Sequence, residues 1–289
     1  MGAQFITWSL AGCLEESVII RLMKFFQLYH PEERIKLPKE DAWAIDHKNN
    51  VFAVADGVHL RKGIEYQGSY PVVSPAGTLA QKFCDNFLRL ARGETLKSAF
   101  SKANHSVFSI NKNRDKYGTF SKAEAYFAAT GAFGKIKNRK LEWGNICDSG
   151  VVIISTNHNI TFWRLDHSHH GPCDDLLRGY STMDGSYMLR TIFRNAISQK
   201  GKKLGYGVIT GESSAEKYVW FGTKKLNKGD LVVFTTDGFE QYLQEKSFRI
   251  ALRTMDEKEI EIVIAKIKKA NEGNVEFTSE RTLVAVLVD

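Results

Sequence analysis

Two apolar runs end on the same dipeptide. "VFAVADGV", 51–58, closes on Asp56-Gly57, and "DLVVFTTDGF", 230–239, closes on Asp237-Gly238. Taken singly, an Asp-Gly after a strand makes a turn, because Gly tolerates positive φ and Asp bonds nearby backbone. The recurrence points to chemistry, because other acids hold similar positions. Glu40 precedes and Asp41 opens "DAWAIDH", Asp148 lies between two strand-like runs in "NICDSGVV", and Glu280 stands before "RTLVAVLV". Carboxylates gathered in one place repel one another unless protons or cations compensate. Mg²⁺ and Mn²⁺ take oxygen ligands from carboxylates, carbonyls and water, and Gly57 would let its carbonyl come close to such an ion. The chemistry implied is binding of a hard divalent cation. A third Asp-Gly, Asp184-Gly185 in "STMDGSYM", follows no strand-like run and reads as a plain turn away from the site.

The elements around these acids follow from periodicity. "DAWAIDH", 41–47, alternates as a strand, "KNN" turns it, and "VFAVAD" returns as the second arm of a hairpin. Antiparallel pairing then places Glu40 and Asp41 beside Asp56 and Gly57. A helix is expected over 74–92, with Ser74 as N-cap and Pro75 in the first helical position, and a second over 94–114. Strands follow in "AYFAATGAFGKI", "KLEWGNICDSGVVIIS" and "ITFWRL". The stretch from Asp166 to Glu212 is irregular, with one helix-like piece near "MLRTIFRNAIS". The strand "DLVVFTTDG", helical segments, the charged helix 256–271 and a closing apolar strand complete the chain. This order fits no regular βαβ series. It suggests an α+β chain of antiparallel sheets with helices packed outside.

The bulk composition is compatible with this reading and narrows the partners. The 289 residues, 43% hydrophobic and 25% charged, can bury a large core. With five prolines and no Gly/Ser-rich stretch, a single domain over 23–289 behind an N-terminal extension, 1–22, is expected. The net charge of +7 suits acidic partners, phosphorylated ones included. The basic residues are spread out in patches such as "KIKNRK" and "AKIKKAN" that read as turns or a helix face, and no nucleic-acid recognition motif is present. Cys13, Cys84, Cys147 and Cys173 lack zinc spacing and suggest a reducing, cytoplasmic setting. No apolar run reaches the ~18 residues that a membrane span needs. "LAGC" at Cys13 has the look of a lipoprotein cleavage site, but no Lys or Arg precedes it.

The segments "KEDAWAID", "VFAVADGV", "AATGAFG", "LEWGNICDSGVVIIS", "WRLDHS", "KGDLVVFTTDGF" and "SERTLVAVLV", in this order, resemble the metal-dependent serine/threonine phosphatases of type 2C (the PPM family). The resemblance spans 23–289. It implies a four-layer α-β-β-α sandwich of two antiparallel sheets flanked by helix pairs. It also implies hydrolysis of phosphoserine and phosphothreonine in proteins by a water activated between two Mn²⁺ or Mg²⁺ ions, in a signalling setting and as a monomer. By motif position Asp56 would bridge the ions and Gly57 would give its carbonyl to one. Asp237 and Glu280 would bind the other, Glu40 and Asp41 would hold ion-bound water, and Asp148 would serve a third, weaker ion. Asp56 and Asp237 would be catalytic, with Lys36 at the position of the substrate-phosphate clamp.

Three positions depart from the family pattern. The last ligand is usually Asp in an Asp-Asn pair. Here it is Glu280-Arg281, and the extra methylene moves the carboxylate by about 1.5 Å. Lys36 replaces the clamping Arg and binds phosphate as a point charge without the bidentate fork. Val58 stands where eukaryotic members carry His, with His59 next along. His167, His169 and His170 fall in "DHSHHGP", of which only "DHS" matches, and the irregular 166–212 matches the family's variable flap. These departures leave an alternative, a catalytically inactive phosphatase-like scaffold that binds a phosphoprotein or another partner.

Overall fold

Alternation inside the strands sets the layering. The computed structural model describes residues 23–33, 37–58, 73–112, 126–164 and 192–289. In strand β3 (Val51–Val58), Val51, Ala53 and Ala55 join a core against helices, while Phe52 and Val54 join a second core between two sheets. The later strands β9 (Leu231–Thr235) and β10 (Arg281–Leu287) divide in the same way. Leu231, Val233, Leu283 and Ala285 face another helical layer, and Val232, Phe234, Val284 and Val286 face inward. A strand covered on both faces buries every residue, which is why these segments read as unbroken apolar runs.

The two sheets each have five antiparallel strands. One is ordered β1-β10-β9-β6-β7 and the other β2-β3-β4-β5-β8. The remaining strands are β1 (Lys24–His30), β2 (Ala42–Asp46), β4 (Ala128–Lys137), β5 (Lys140–Ile146), β6 (Gly150–Ile154), β7 (Ile160–Arg164) and β8 (Trp220–Lys225). The stacked rings of Phe52 and Phe234, 5.5 Å apart, join the sheets across the central core. Helices α1 (Pro75–Ala91) and α2 (Leu96–Lys112) cover the second sheet through Phe83, Phe87 and Phe100, which pack on Phe133 of β4. Helices α3 (Glu240–Gln244), α4 (Lys246–Thr254) and α5 (Glu257–Ala270) cover the first sheet with Tyr242, Phe248, Ile260 and Ile264. The result is the four-layer α-β-β-α sandwich.

Helix α1 starts as its sequence dictates. Ser74 Oγ accepts the Gly77 N–H at 2.9 Å, and Pro75 occupies the first turn, where no N–H is needed. Asp256 caps α5 by accepting from Lys258 and Glu259. The patch "KIKNRK" forms the β4–β5 turn, with Asn138 and Arg139 both at positive φ.

Two strands carry no clear signal in the sequence. β1 buries only Leu28, and β8 has no buried residue. Both are edge strands paired on one side, so neither needs a clean alternation. Over its described part, 192–198, the helix-like reading of "MLRTIFRNAIS" holds at 192–193 and not at 194–198. There Arg194 bridges to Tyr206, Ile197 bridges to Lys203, and Asn195 adopts φ 53°. Residues 1–22, most of the expected flap (165–191) and Asp184 lie outside the described residues. Among the described residues no helix is long and apolar enough to cross a membrane.

Candidate functional site

Strand parity carries Asp56 into the gap between the sheets. It shares a face with Phe52 and Val54 and pairs with Thr130 of β4. Asp56 does not end its strand, because β3 continues through Val58. β2 pairs Ala42 with Ala55, which sets Asp41 beside Asp56, and the Gly57 N–H donates to the Glu40 carbonyl at 3.2 Å.

Neither Asp-Gly glycine is there for a positive φ. A Cβ on Gly57 would lie 2.7 Å from the Ala76 carbonyl carbon and 2.9 Å from the Glu40 oxygen, so Gly57 lets α1 close on β3. A Cβ on Gly238 would meet the Glu280 carbonyl oxygen at 2.2 Å, so Gly238 lets the turn after β9 close on the start of β10. Each glycine permits a backbone approach that draws two acid-bearing segments together.

Asp148 arrives by a different route. β5 and β6 belong to different sheets, and the chain crosses between them at Cys147–Ser149. Cys147 takes the left-handed conformation, φ 62°, a strained choice for a non-glycine residue. Below the crossing, Thr130 Oγ1 and Ser149 Oγ lie 2.7 Å apart in a buried polar floor, and Asn145 Nδ2 donates to the Ser149 carbonyl. Asp148 Oδ1 is buried with no hydrogen-bond partner among the described residues.

The acids on the other flank meet donors. Ser74 Oγ donates to Glu40 Oε1 at 2.6 Å while also capping α1. Thr236 Oγ1 accepts the Thr282 N–H and donates to Asp41 Oδ2, each at 2.9 Å. Glu280 accepts the Glu40 N–H at 3.0 and 3.2 Å and the Asp41 N–H at 3.1 Å, with the Tyr29 side chain near it. Burial, and then the Glu280 charge, raise the Tyr29 hydroxyl above its ordinary range.

The electrostatics describe one cluster. Burial raises the Asp56 carboxyl well above the ordinary carboxylate range, and the charges of Asp41, Asp237, Asp148 and Glu40 raise it further. Asp41 is raised by burial and then by Glu280, with Asp237 adding to the effect. Glu280 is raised by burial against the opposing pull of the two backbone N–H groups. Burial and the Asp148 charge push the Cys147 thiol up. Thus Glu40, Asp41, Asp56, Asp148, Asp237 and Glu280 converge at one edge of the sandwich, with Gly57 among them. Lys36 lies outside the described residues.

No protein-family model and no curated protein sequence matches the chain. Solved structures do. PppA, "a key regulatory component of T6SS in Pseudomonas aeruginosa", superposes with a TM-score of 0.59 at 11% identity, over 92% of this chain and 98% of that one. The Mycobacterium tuberculosis serine/threonine phosphatase PstP/Ppp gives 0.57 at 12% identity, over 92% and 99%. The fold is that of the type 2C serine/threonine phosphatases. A PstP catalytic domain in complex with two manganese ions has the same fold, with a TM-score of 0.56 at 14% identity over 92% and 99%.

The donors of this chain suit a hard divalent cation. All are oxygens, Asp148 Oδ1 is buried without a partner among the described residues, and Asp56 is surrounded by like charge. Among the described residues no three His, Cys, Asp or Glu side chains form a ready ligand set for one ion. Small divalent ions such as Mg²⁺ keep several waters and need one or two carboxylates, so a full protein cage is not required. Sequence reasoning missed Thr236 and the second role of Ser74, which orient the acids, and Tyr29 near them. Tyr29 sits on an edge strand without a pattern, and a Ser or Thr beside an acid carries no signal of direction.

Proposed function

We propose that the protein is a metal-dependent phosphatase acting on phosphoserine or phosphothreonine in proteins. The observation that carries this reading is the gathering of acids 240 residues apart, Glu40 and Glu280, with Asp56, Asp148 and Asp237 into one inter-sheet cluster. The likeness of the fold to a phosphatase that binds two manganese ions supports it. Asp56, Asp148 and Asp237 would hold the cations, Mn²⁺ or Mg²⁺, with the Gly57 carbonyl and water completing the shell. When bound, the ions supply an activated water near neutral pH and offset charge on the phosphoryl oxygens. Ser74 and Thr236 fix the carboxylates of Glu40 and Asp41 to orient water beside the cations. Lys36 is assigned to the substrate phosphate. No covalent enzyme intermediate is required, so no Cys or Ser nucleophile is needed.

The experiment is hydrolysis of p-nitrophenyl phosphate and of a phosphothreonine peptide with and without added ions. Activity should require Mn²⁺ or Mg²⁺ and stop with EDTA, and turnover that survives thorough chelation would sink the reading. The second reading, an inactive phosphatase-like scaffold, draws support from Glu280, whose carboxylate is engaged by backbone N–H groups. Binding of a phosphopeptide without turnover in either ion would favour it.

A further inference from the structure

We infer that Glu280 is a positioning residue that clamps the Glu40–Asp41 backbone, and that it is not an ion ligand. Its two carboxylate oxygens accept three backbone contacts at 3.0–3.2 Å from two successive N–H groups, and the Tyr29 side chain lies near it. Two successive N–H groups converge on one carboxylate, and such charge-assisted bonds are among the strong ones. The length of Glu makes this possible. An Asp at 280 would fall short by about one C–C bond, ~1.5 Å, which turns a 3.0 Å contact into none.

The geometry around the clamp gives it a purpose. Segment 39–41 has to hold two buried acids, Glu40 and Asp41, against the repulsion of Asp56 and Asp237. Lys39 on its outer side lies over the rings of Trp43 and Tyr29, at 4.1 and 4.8 Å. Those rings stack on each other, and the Trp43 Nε1–H donates to Gln27 on β1. The same tyrosine therefore supports the cation of Lys39 with its face and lies near Glu280. Glu280, on the first sheet's side, fastens an acid pair that belongs to the second sheet. Locked there, Glu280 cannot turn to an ion without releasing two buried N–H groups. The cations then fall to the Asp56, Asp148 and Asp237 flank.

The inference rests on the phosphatase reading for the identity of the ions, while the clamp rests on geometry alone. The test uses the full chain. Amide hydrogen exchange is followed at residues 40–41, and Mn²⁺ uptake is measured by titration calorimetry, for wild type, Glu280→Gln, Glu280→Asp and Tyr29→Phe. Wild type should protect both amides without metal and keep them protected when Mn²⁺ is added. Glu280→Gln and Glu280→Asp should lose that protection. The number of Mn²⁺ ions bound by Glu280→Gln should stay at the wild-type value, with affinity about 10-fold weaker, as for loss of an outer-shell partner. Tyr29→Phe should shift affinity in the same direction by less. One ion fewer in Glu280→Gln, or deprotection of the wild-type amides by Mn²⁺, makes Glu280 a ligand and overturns the inference. Unchanged Mn²⁺ affinity in both Glu280 variants reduces it to a purely structural contact and overturns it as well. If wild type takes up no Mn²⁺, the phosphatase reading fails, and exchange at residues 40–41 alone decides the clamp.

Discussion

Glu40, Asp41 and Glu280 accept hydrogen bonds from Ser74, Thr236 and two backbone N–H groups. Asp56, in the same cluster, meets Asp41, Asp237, Asp148 and Glu40, all of its own sign, and the Asp148 Oδ1 beside it is buried with no partner among the described residues. One flank is answered by the protein's own donors, whereas the other, the open flank, sets like charges against one another. Removing a donor on the first flank should therefore cost stability. Removing an acid on the second should cost function and leave the metal-free fold intact or firmer.

The largest effect is expected on the open flank. Asp56→Ala should lower phosphatase turnover about 10³-fold, equivalent to about 4 kcal/mol of activation free energy. The metal-free variant should melt no lower than wild type, because one member of a repelling group is gone. Asp46, at the other end of the β2–β3 hairpin and bound to Arg92 at 2.6 Å, is the control. Asp46→Ala should leave turnover close to wild type. An Asp56→Ala chain that fails to fold would show that this carboxylate is structural and erase the contrast between the flanks.

Stability against pH sharpens the same contrast. Asp41, Asp56 and Glu280 have folded-state pKa values raised above those of the unfolded chain. The native state then binds more protons than the unfolded one, and the linkage slope is negative. Stability from these groups is complete below the unfolded carboxylate range, near pH 4, and is lost as pH rises through the raised values. Glu33 and Asp46 have lowered pKa values and act oppositely, losing their contribution as pH falls below that range. Metal-free protein should therefore melt higher at pH 5 than at pH 8. Added Mn²⁺ should abolish or reverse the difference, with about 2.7 kcal/mol gained at an ion concentration of 100 times Kd. Equal melting temperatures at both pH values without metal would mean that the cluster is not under charge stress.

Gly57→Ala comes next in size. Its Cβ would press on α1 and on the Glu40 carbonyl, so the cost should be roughly 1–3 kcal/mol by overpacking, measured by urea unfolding. The backbone of the acid pair would shift as well, so turnover should fall more steeply than stability alone explains. A neutral Gly57→Ala would mean that α1 can retreat from β3 without harm.

How far the sequence carried depended on what each position must do. β3, β9 and β10 were legible because each is covered on both faces, and their parity already sends Asp56 inward. Helix α1 was legible from Ser74-Pro75, whose cap chemistry is local. The convergence of the acids followed from hairpin geometry for Asp41 and Asp56, and from the resemblance for Asp148, Asp237 and Glu280. β1 and β8 were not legible, because edge strands have one pairing partner and little burial. The engagement of Glu280 by residues 40–41 was also hidden, since it depends on one methylene and on a contact across 240 positions. The Asp-Gly dipeptides were legible as motifs, but the reason for their glycines lay in close backbone approach, which no local rule contains.

The smallest effect tests the hinge between the two flanks. Ser74 Oγ caps α1 through Gly77 and donates to Glu40, so one hydroxyl serves both helix and site. Ser74→Ala removes both contacts and should cost about 1 kcal/mol, the ordinary loss of an N-cap. Ser74→Asp separates the two roles. Its carboxylate caps the helix as well as Ser does, but it would stand 2.6 Å or so from Glu40 with the same charge and no proton to share. If Ser74 acted only as a cap, Ser74→Asp would match wild type in stability and in Mn²⁺ response. If it also answers the charge of Glu40, Ser74→Asp should stay less stable than wild type at pH 8 and recover when Mn²⁺ is added or the pH is lowered. Ser74→Thr, which retains both contacts, should behave as wild type throughout. Recovery by Mn²⁺ in Ser74→Asp but not in Ser74→Ala would show that a cation can replace on the answered flank what it supplies on the open one. The same urea midpoints, read with and without metal, decide between these outcomes.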